Sequence, residues 1–351
     1  MVIDKLGSGA FSNVYRATLN LRGNDRGNDR GEPPSSDHTS CYPRVFAVKM
    51  YHDHFLINRE LIIYRYLWDL RRLGRTQLRV PRLFGELIRP PTSSTNTPDE
   101  YGMVMELLGD SLATLFQKIS TDAPCLDALL NWLTADALNE VQRLHETGIV
   151  HRDIKPDNLV LKIDATAIDN DDDNDDHDHD GGGVTLIDYG LSSQYIQADG
   201  LHVPARTGLS LIGTSRYASI WAHEGALQSR RDDVASLCYS MMLLASGGDL
   251  PWVQPMIAAG SDRRARARVA LKEKQTFDVG KWGLRCTNAA DPPRRSERFA
   301  YCARLLVMHQ QLCALTYDEK PPYQRWIAMF REGVPSDFDA IATLREICAT
   351  T

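Results

Sequence analysis

The octet His151-Arg152-Asp153-Ile154-Lys155-Pro156-Asp157-Asn158 places a carboxylate, a cation and an amide ligand in one short loop. Asp153 can accept or orient a hydroxyl, Lys155 stands two residues on to neutralise a phosphate, and Asn158 stands five residues on to ligate a divalent cation. Such a set suits phosphoryl transfer, which asks the protein for position and charge more than for covalent chemistry.

Four further segments carry the rest of that chemistry. Gly7-Ser8-Gly9-Ala10-Phe11-Ser12-Asn13-Val14 reads as a glycine-rich turn between two strand-like runs, where small residues let backbone N–H groups approach phosphate oxygens. Val45-Phe46-Ala47-Val48-Lys49 is a β-branched run ending in a lysine, which a strand can aim at phosphates. Glu60 lies in Arg59-Glu60-Leu61-Ile62-Ile63-Tyr64, a segment with apolar residues at helical spacing, and is the natural partner for Lys49. Leu186-Ile187-Asp188-Tyr189-Gly190 ends a short apolar strand on a carboxylate that can bridge a cation to a nucleotide. Each alone has a bland alternative: a hairpin turn, a solvated lysine, an exposed helix charge. Their order along one chain leaves those alternatives little room.

These residues resemble a eukaryotic-type protein kinase of the casein kinase 1 family. Met103-Val104-Met105-Glu106-Leu107-Leu108-Gly109-Asp110 is similar to that family's hinge, and Gly213-Thr214-Ser215-Arg216-Tyr217-Ala218-Ser219-Ile220 to its substrate loop. Gln228-Ser229-Arg230-Arg231-Asp232-Asp233 continues that substrate-loop resemblance, and Asp318-Glu319-Lys320-Pro321-Pro322-Tyr323 is similar to a late C-lobe motif of the same family. Asp188-Tyr189-Gly190 is closer to the sister family of vaccinia-related kinases. The resemblance spans about residues 3 to 335.

The resemblance implies an α+β, bilobal kinase fold over residues 1–351, with a β-rich N-lobe to about 108 and a mainly helical C-lobe over 109–351. ATP is then expected between the lobes, met by Leu6, Gly7, Gly9, Val14, Ala47, Lys49, Met105, Glu106, Leu108 and Asp188, with Met105 as gatekeeper. Asn158 and Asp188 would hold Mg²⁺, while Asp153, Lys155, Asn158, Lys49 and Glu60 would form the catalytic set. Asp233 is expected to brace the catalytic loop and Thr214 to lie near Asp153 and Lys155, as in serine/threonine kinases. Family members favour acidic or phosphorylated substrates; Arg206, with Arg266 or Arg268 from the basic run 263–268, would form the anion pocket, the alternative for that run being a solvated helix face.

Composition agrees. A chain of 351 residues, 43% of them hydrophobic, can bury a sizeable core. Its seven cysteines lack a CxxC pair, so free thiols are expected rather than disulfides or a zinc site. No apolar leader or membrane-length segment is read, and an intracellular location, cytoplasmic or nuclear, is expected. Nine Asp residues between 164 and 180 outweigh the whole net charge of −6 and leave the remainder at +3. That stretch lies within an insertion of about 164–183, read as disordered; His177 and His179 invite a metal site, but nothing fixes ligand geometry. A second insertion, about 20–43, contains a short tandem repeat and reads as a flexible linker. Expected partners are protein substrates bearing Ser or Thr; a monomer is expected, and neither nucleic acid nor membrane.

Several residues depart from the family pattern: Ser12 replaces a third glycine, Cys238 stands where glycine is usual, and Trp221 where asparagine is usual. The second function class is therefore a nucleotide-binding scaffold without catalysis. A third, an acidic interaction protein, accounts only for residues 164 to 180.

Overall fold

The computed structural model describes residues 2–8, 12–19, 44–89, 100–120, 123–163, 182–286 and 292–349. Gly9 and nearly all of both insertions lie outside the described residues, as do His177 and His179. The chain divides into two compact units, one comprising 1–61 and 81–107, the other 62–80 and 108–351.

The first unit is built on an antiparallel five-stranded sheet. Its strands β1 (Val2–Ser8), β2 (Ser12–Leu19), β3 (Arg44–Tyr51), β4 (Leu83–Arg89) and β5 (Glu100–Glu106) lie in the order β1-β2-β3-β5-β4. Alternation along these strands sends Ala17, Phe46, Val48 and Val104 into a small core, where the Phe46 and Phe84 rings meet edge to face at 4.9 Å. Gly7 lies within β1, paired with Val14 after a register irregularity, and not in the turn where the glycine pattern alone puts it. The ladder continues as far as Ser8 and Asn13, whose side chains are hydrogen-bonded at 2.9 Å.

Helix α1 (His54–Arg72) begins in the first unit and ends in the second. Residues 62–80 belong to the second unit, and Arg79 ties them to it. Arg79 is buried there, donating to Asp136, Glu140 and the Val184 carbonyl, while Glu140 Oε2 accepts the Arg79 backbone N–H at 2.8 Å. Burial pushes the Glu140 carboxyl up to about 7 despite its arginine neighbours.

The second unit is mainly helical: α2 (Leu112–Lys118), α3 (Leu126–Glu146), α4 (Ile220–His223), α5 (Arg230–Ala245), α6 (Val253–Ala258), α7 (Arg263–Gln275), α8 (Val279–Cys286), α9 (Pro292–Cys313), α10 (Tyr323–Arg331) and α11 (Ala340–Ala349). Helix α5 is buried around its whole circumference from Asp232 to Ala245 and forms the centre. Cys238 sits within it without interrupting the helix, and burial pushes its thiol far above the ordinary range. Around α5, Thr134 of α3 meets Tyr301 of α9 at 2.9 Å, and Arg298 of α9 joins Asp127 and the Ala245 carbonyl.

Two short strand pairs interrupt the helices. β6 (Ile149–Val150) pairs with β9 (Ser193–Gln194), and β7 (Leu159–Lys162) pairs with β8 (Gly183–Leu186) in the register Leu159↔Leu186 to Lys162↔Gly183. The catalytic-loop octet runs between β6 and β7, and Asp188 follows β8. The architecture is α+β, with a sheet-rich N-terminal part and a helical C-terminal part. Among the described residues no helix is long and apolar enough to cross a membrane, and Cys125, Cys238, Cys302, Cys313 and Cys348 are free thiols.

Candidate active site

In the first unit, strand register sets the neighbours of Lys49. β3 brings Lys49 opposite both Val14 and Met103, and Ala47 opposite Met105. Lys49 and Glu60 are 6% and 1% exposed, and the ammonium donates to Oε1 at 2.9 Å and Oε2 at 2.8 Å. Tyr51 adds its hydroxyl to the same carboxylate. A buried lysine is thereby paired with a carboxylate fixed from two sides. Ala47, Met105 and Glu106 are buried, Val14 is half-buried and Leu6 is exposed. The Glu106 N–H donates to the Arg82 carbonyl at 2.8 Å, and its Oε2 accepts the Arg82 N–H at 3.1 Å. Leu108, half-buried, falls in the second unit.

In the second unit, the catalytic loop hangs from one carboxylate. Asp233, in the first turn of α5, accepts the His151 N–H at 2.6 Å and the Arg152 N–H at 2.7 Å, and meets His145 Nε2 at 2.9 Å. Burial alone would raise the Asp233 carboxyl, but the His145 contact and the loop N–H hold it below its ordinary value. His145 is in turn met at Nδ1 by the Tyr323 hydroxyl, so the late Asp318–Tyr323 stretch supports the loop from behind. Its neighbour Asp232 does a different job: it accepts the Ser229 N–H at 2.8 Å and joins Ser219, and burial raises it to about 6.

Asp153 then faces three donors. Lys155 Nζ donates to Oδ2 at 2.7 Å, while Oδ1 accepts the Thr214 N–H at 2.8 Å and hydroxyl at 2.7 Å; Lys155 also reaches Thr214 Oγ1 at 3.5 Å. Gly213 makes this approach possible. Its φ is +91°, and a Cβ there would strike the Arg152 carbonyl oxygen.

Asn158 ends a single 3₁₀ turn, Pro156–Asn158, and donates Nδ2 to the Asp153 carbonyl at 2.9 Å, which fixes the amide's orientation and leaves the oxygen end for a ligand. Its own carbonyl accepts the Ile187 N–H at 3.1 Å, one residue before Asp188. Asp188 is held in the left-handed region at φ 68°, and Arg152 shares that φ; among the described residues these are the two non-glycine positions with positive φ. Tyr189 is fully buried, edge-on to Tyr64 at 5.0 Å and tilted against His151 at 5.4 Å.

An amide oxygen and a carboxylate are hard donors of the kind Mg²⁺ takes, and two protein ligands leave room for phosphate oxygens and water. The described residues contain no cluster of three or more His, Cys, Asp or Glu that could hold a metal ion. The donor set fits a cation brought in with a nucleotide.

The arginines expected to form an anion pocket differ in exposure. Arg206 is exposed, Arg266 is half-buried and Arg268 is exposed. Two residues apart on α7, Arg266 and Arg268 point to nearly opposite sides of the helix, so one at most can join Arg206. Arg263, outside the predicted pair, reaches the Gly213 carbonyl at 3.5 Å. Lys274 was also outside the expected set; it contacts the loop after Thr214 and reads in sequence as one more member of a basic run.

Residues 87–254 match the family model for the protein kinase domain, a span that includes the catalytic loop, Asp188, Thr214 and Asp233. With the α+β fold, that match supports a protein kinase, an enzyme class that takes ATP and acts on proteins.

Proposed function

We propose that this chain is a serine/threonine protein kinase, similar to the casein kinase 1 family, transferring the γ-phosphate of ATP to Ser or Thr hydroxyls of proteins. The observation that carries the reading is the Asp153 cluster: a carboxylate fixed by Lys155 and Thr214, on a loop whose backbone is tied to Asp233. Lys49, held by Glu60, would bind nucleotide phosphate, and Leu6, Gly7, Val14, Ala47, Met105 and the chain from Glu106 to Leu108 would receive the rest of the nucleotide. Asn158 and Asp188 would hold Mg²⁺, which when bound offsets the phosphate charge. Asp153 would align the acceptor hydroxyl and take its proton, and Lys155 would stabilise the charge of the moving phosphoryl group. Asp153→Ala is expected to lower turnover roughly 10²-fold or more while nucleotide affinity stays nearly intact. Phosphate transfer from labelled ATP to casein measures it, and an equally active variant removes Asp153 from this role. A wild-type chain that binds ATP but labels nothing favours the scaffold.

A preference for acidic or phosphorylated substrates is part of the same proposal. Four arginines, 263, 264, 266 and 268, crowd the first half of α7, and its first turn contains no acid. Cations at a helix N-terminus oppose its dipole; the N-cap Asp262, which accepts the Arg264 N–H at 2.8 Å, answers part of that charge, and an external anion would answer more. A peptide phosphorylated upstream of the acceptor should react faster than its neutral counterpart. Indifference to upstream charge defeats this half of the proposal.

A further inference from the structure

The backbone that follows Thr214, itself in contact with Asp153, is pinned at three carbonyls. The carbonyls of Ser215, Arg216 and Ala218 each have a side-chain donor drawn from a distant helix or turn. Lys274 Nζ donates to Ser215 O at 3.1 Å and to Ala218 O at 2.6 Å; Trp252 Nε1 donates to Arg216 O at 2.8 Å; His223 Nε2 lies 3.0 Å from Ser215 O. Lys274 is 3% exposed, and its nitrogen lies 4.8 Å from the centre of the Tyr239 ring and 5.0 Å from that of Trp252. It has no carboxylate partner among the described residues, and burial alone sets its pKa well below that of an ordinary lysine.

A lysine taken out of water without an anion is unfavourable for folding unless its N–H groups and charge are otherwise met. Here two carbonyls take two N–H bonds, which an amine supplies in either protonation state, and two ring faces favour the cation. All of that compensation is spent on a stretch of backbone one to four residues beyond Thr214.

We propose that Lys274 and Trp252 are positioning residues for the phosphoacceptor: they clamp the 215–218 backbone so that Thr214 stays on Asp153 and the acceptor hydroxyl is presented in line. This rests on the kinase reading above. Neither residue touches the nucleotide in this scheme, so transfer to a protein acceptor depends on them and nucleotide binding does not.

The test compares the full chain with Lys274→Met, which keeps the stem and removes both N–H bonds, and Trp252→Phe, which keeps an aromatic face and removes one. Five quantities are read: kcat and KM for an acceptor peptide, the Kd for ATP, the slow transfer to water, and the melting temperature. For Lys274→Met, peptide kcat/KM should fall on the order of 10- to 100-fold, with ATP Kd and transfer to water within about twofold of wild type. Trp252→Phe should lower peptide kcat/KM roughly three- to tenfold with the same selectivity, and it decides the matter if Lys274→Met does not fold. Peptide kcat/KM unchanged in the folded variants overturns the proposal. So does a parallel loss of peptide transfer, water transfer and ATP affinity, which marks general damage. A wild-type chain that phosphorylates no peptide overturns the kinase reading itself, and this inference with it.

Discussion

Lys49 and Lys274 are both buried, at 6% and 3% exposure, yet the chain compensates them in opposite ways. Lys49 faces a carboxylate gripped at both oxygens; Lys274 faces two main-chain carbonyls and two aromatic rings. The first arrangement is a charge pair that fixes one side chain. The second fixes backbone and is itself fully used. Burial of a lysine therefore says little about its job until its partners are known.

The difference should be largest in Lys49→Met. Phosphotransfer should fall on the order of 10²- to 10³-fold, because a preorganised cation is lost. Stability should fall by about 3–5 kcal/mol, since Glu60 loses the cation of its buried pair. Labelled-ATP transfer and urea unfolding measure the two effects. Adding Glu60→Gln, which keeps an acceptor for the Tyr51 hydroxyl, should return most of the stability and none of the activity. Stability that does not recover would mean that the pair is not the unit it looks to be.

This contrast also explains what could be read from the sequence. The Lys49 strand, the Glu60 helix, the catalytic loop and Asp188 are each announced within a few residues, by a β-branched run, a helical spacing or a contiguous motif. Asp233 and Thr214 were placed from family resemblance, and the structure puts both in contact with the loop residues expected of them. Lys274 sends no such signal. It lies among five other basic residues of α7, and what buries it comes from Tyr239, Trp252 and the 215–218 carbonyls, all distant in sequence. Arg79 is hidden in the same way, because its partners Asp136 and Glu140 lie about 60 residues on. Local pattern reveals chemistry carried by motifs and misses chemistry assembled by packing.

A pH series sharpens the comparison at the Lys274 end. His223, which shares the Ser215 carbonyl with Lys274, has its pKa lowered from 6.5 to about 4 by burial and by the neighbouring ammonium. Its folded-state pKa lies below its unfolded value, so the unfolded chain binds the proton more readily. The contribution is complete above about pH 6.5, is lost as the pH falls toward 4, and changes no further below that. The upper limit of the effect is about 3 kcal/mol. His223→Gln should flatten this limb of the stability profile, measured by urea unfolding between pH 7 and 4.5. A limb that persists unchanged would assign the acid sensitivity elsewhere, with His145 and His309, whose pKa values burial also lowers, the next places to look.

The smallest effect, and the one that most directly tests the contrast, is the stability of Lys274→Met. No opposite charge is stranded, because none is there. The methionine stem keeps its contact with the Tyr239 and Trp252 rings, and the Ser215 carbonyl retains His223 as a donor. Only the Ala218 carbonyl is orphaned, at a cost of about 1–2 kcal/mol, partly offset by the removal of a buried amine. Urea unfolding of Lys274→Met beside Lys49→Met reads the difference. Equal losses would show that burial itself, and not the kind of partner, governs what a lysine contributes in this fold. A clearly smaller loss for Lys274→Met would mean that its carbonyl contacts serve the geometry of the acceptor loop more than the stability of the unit.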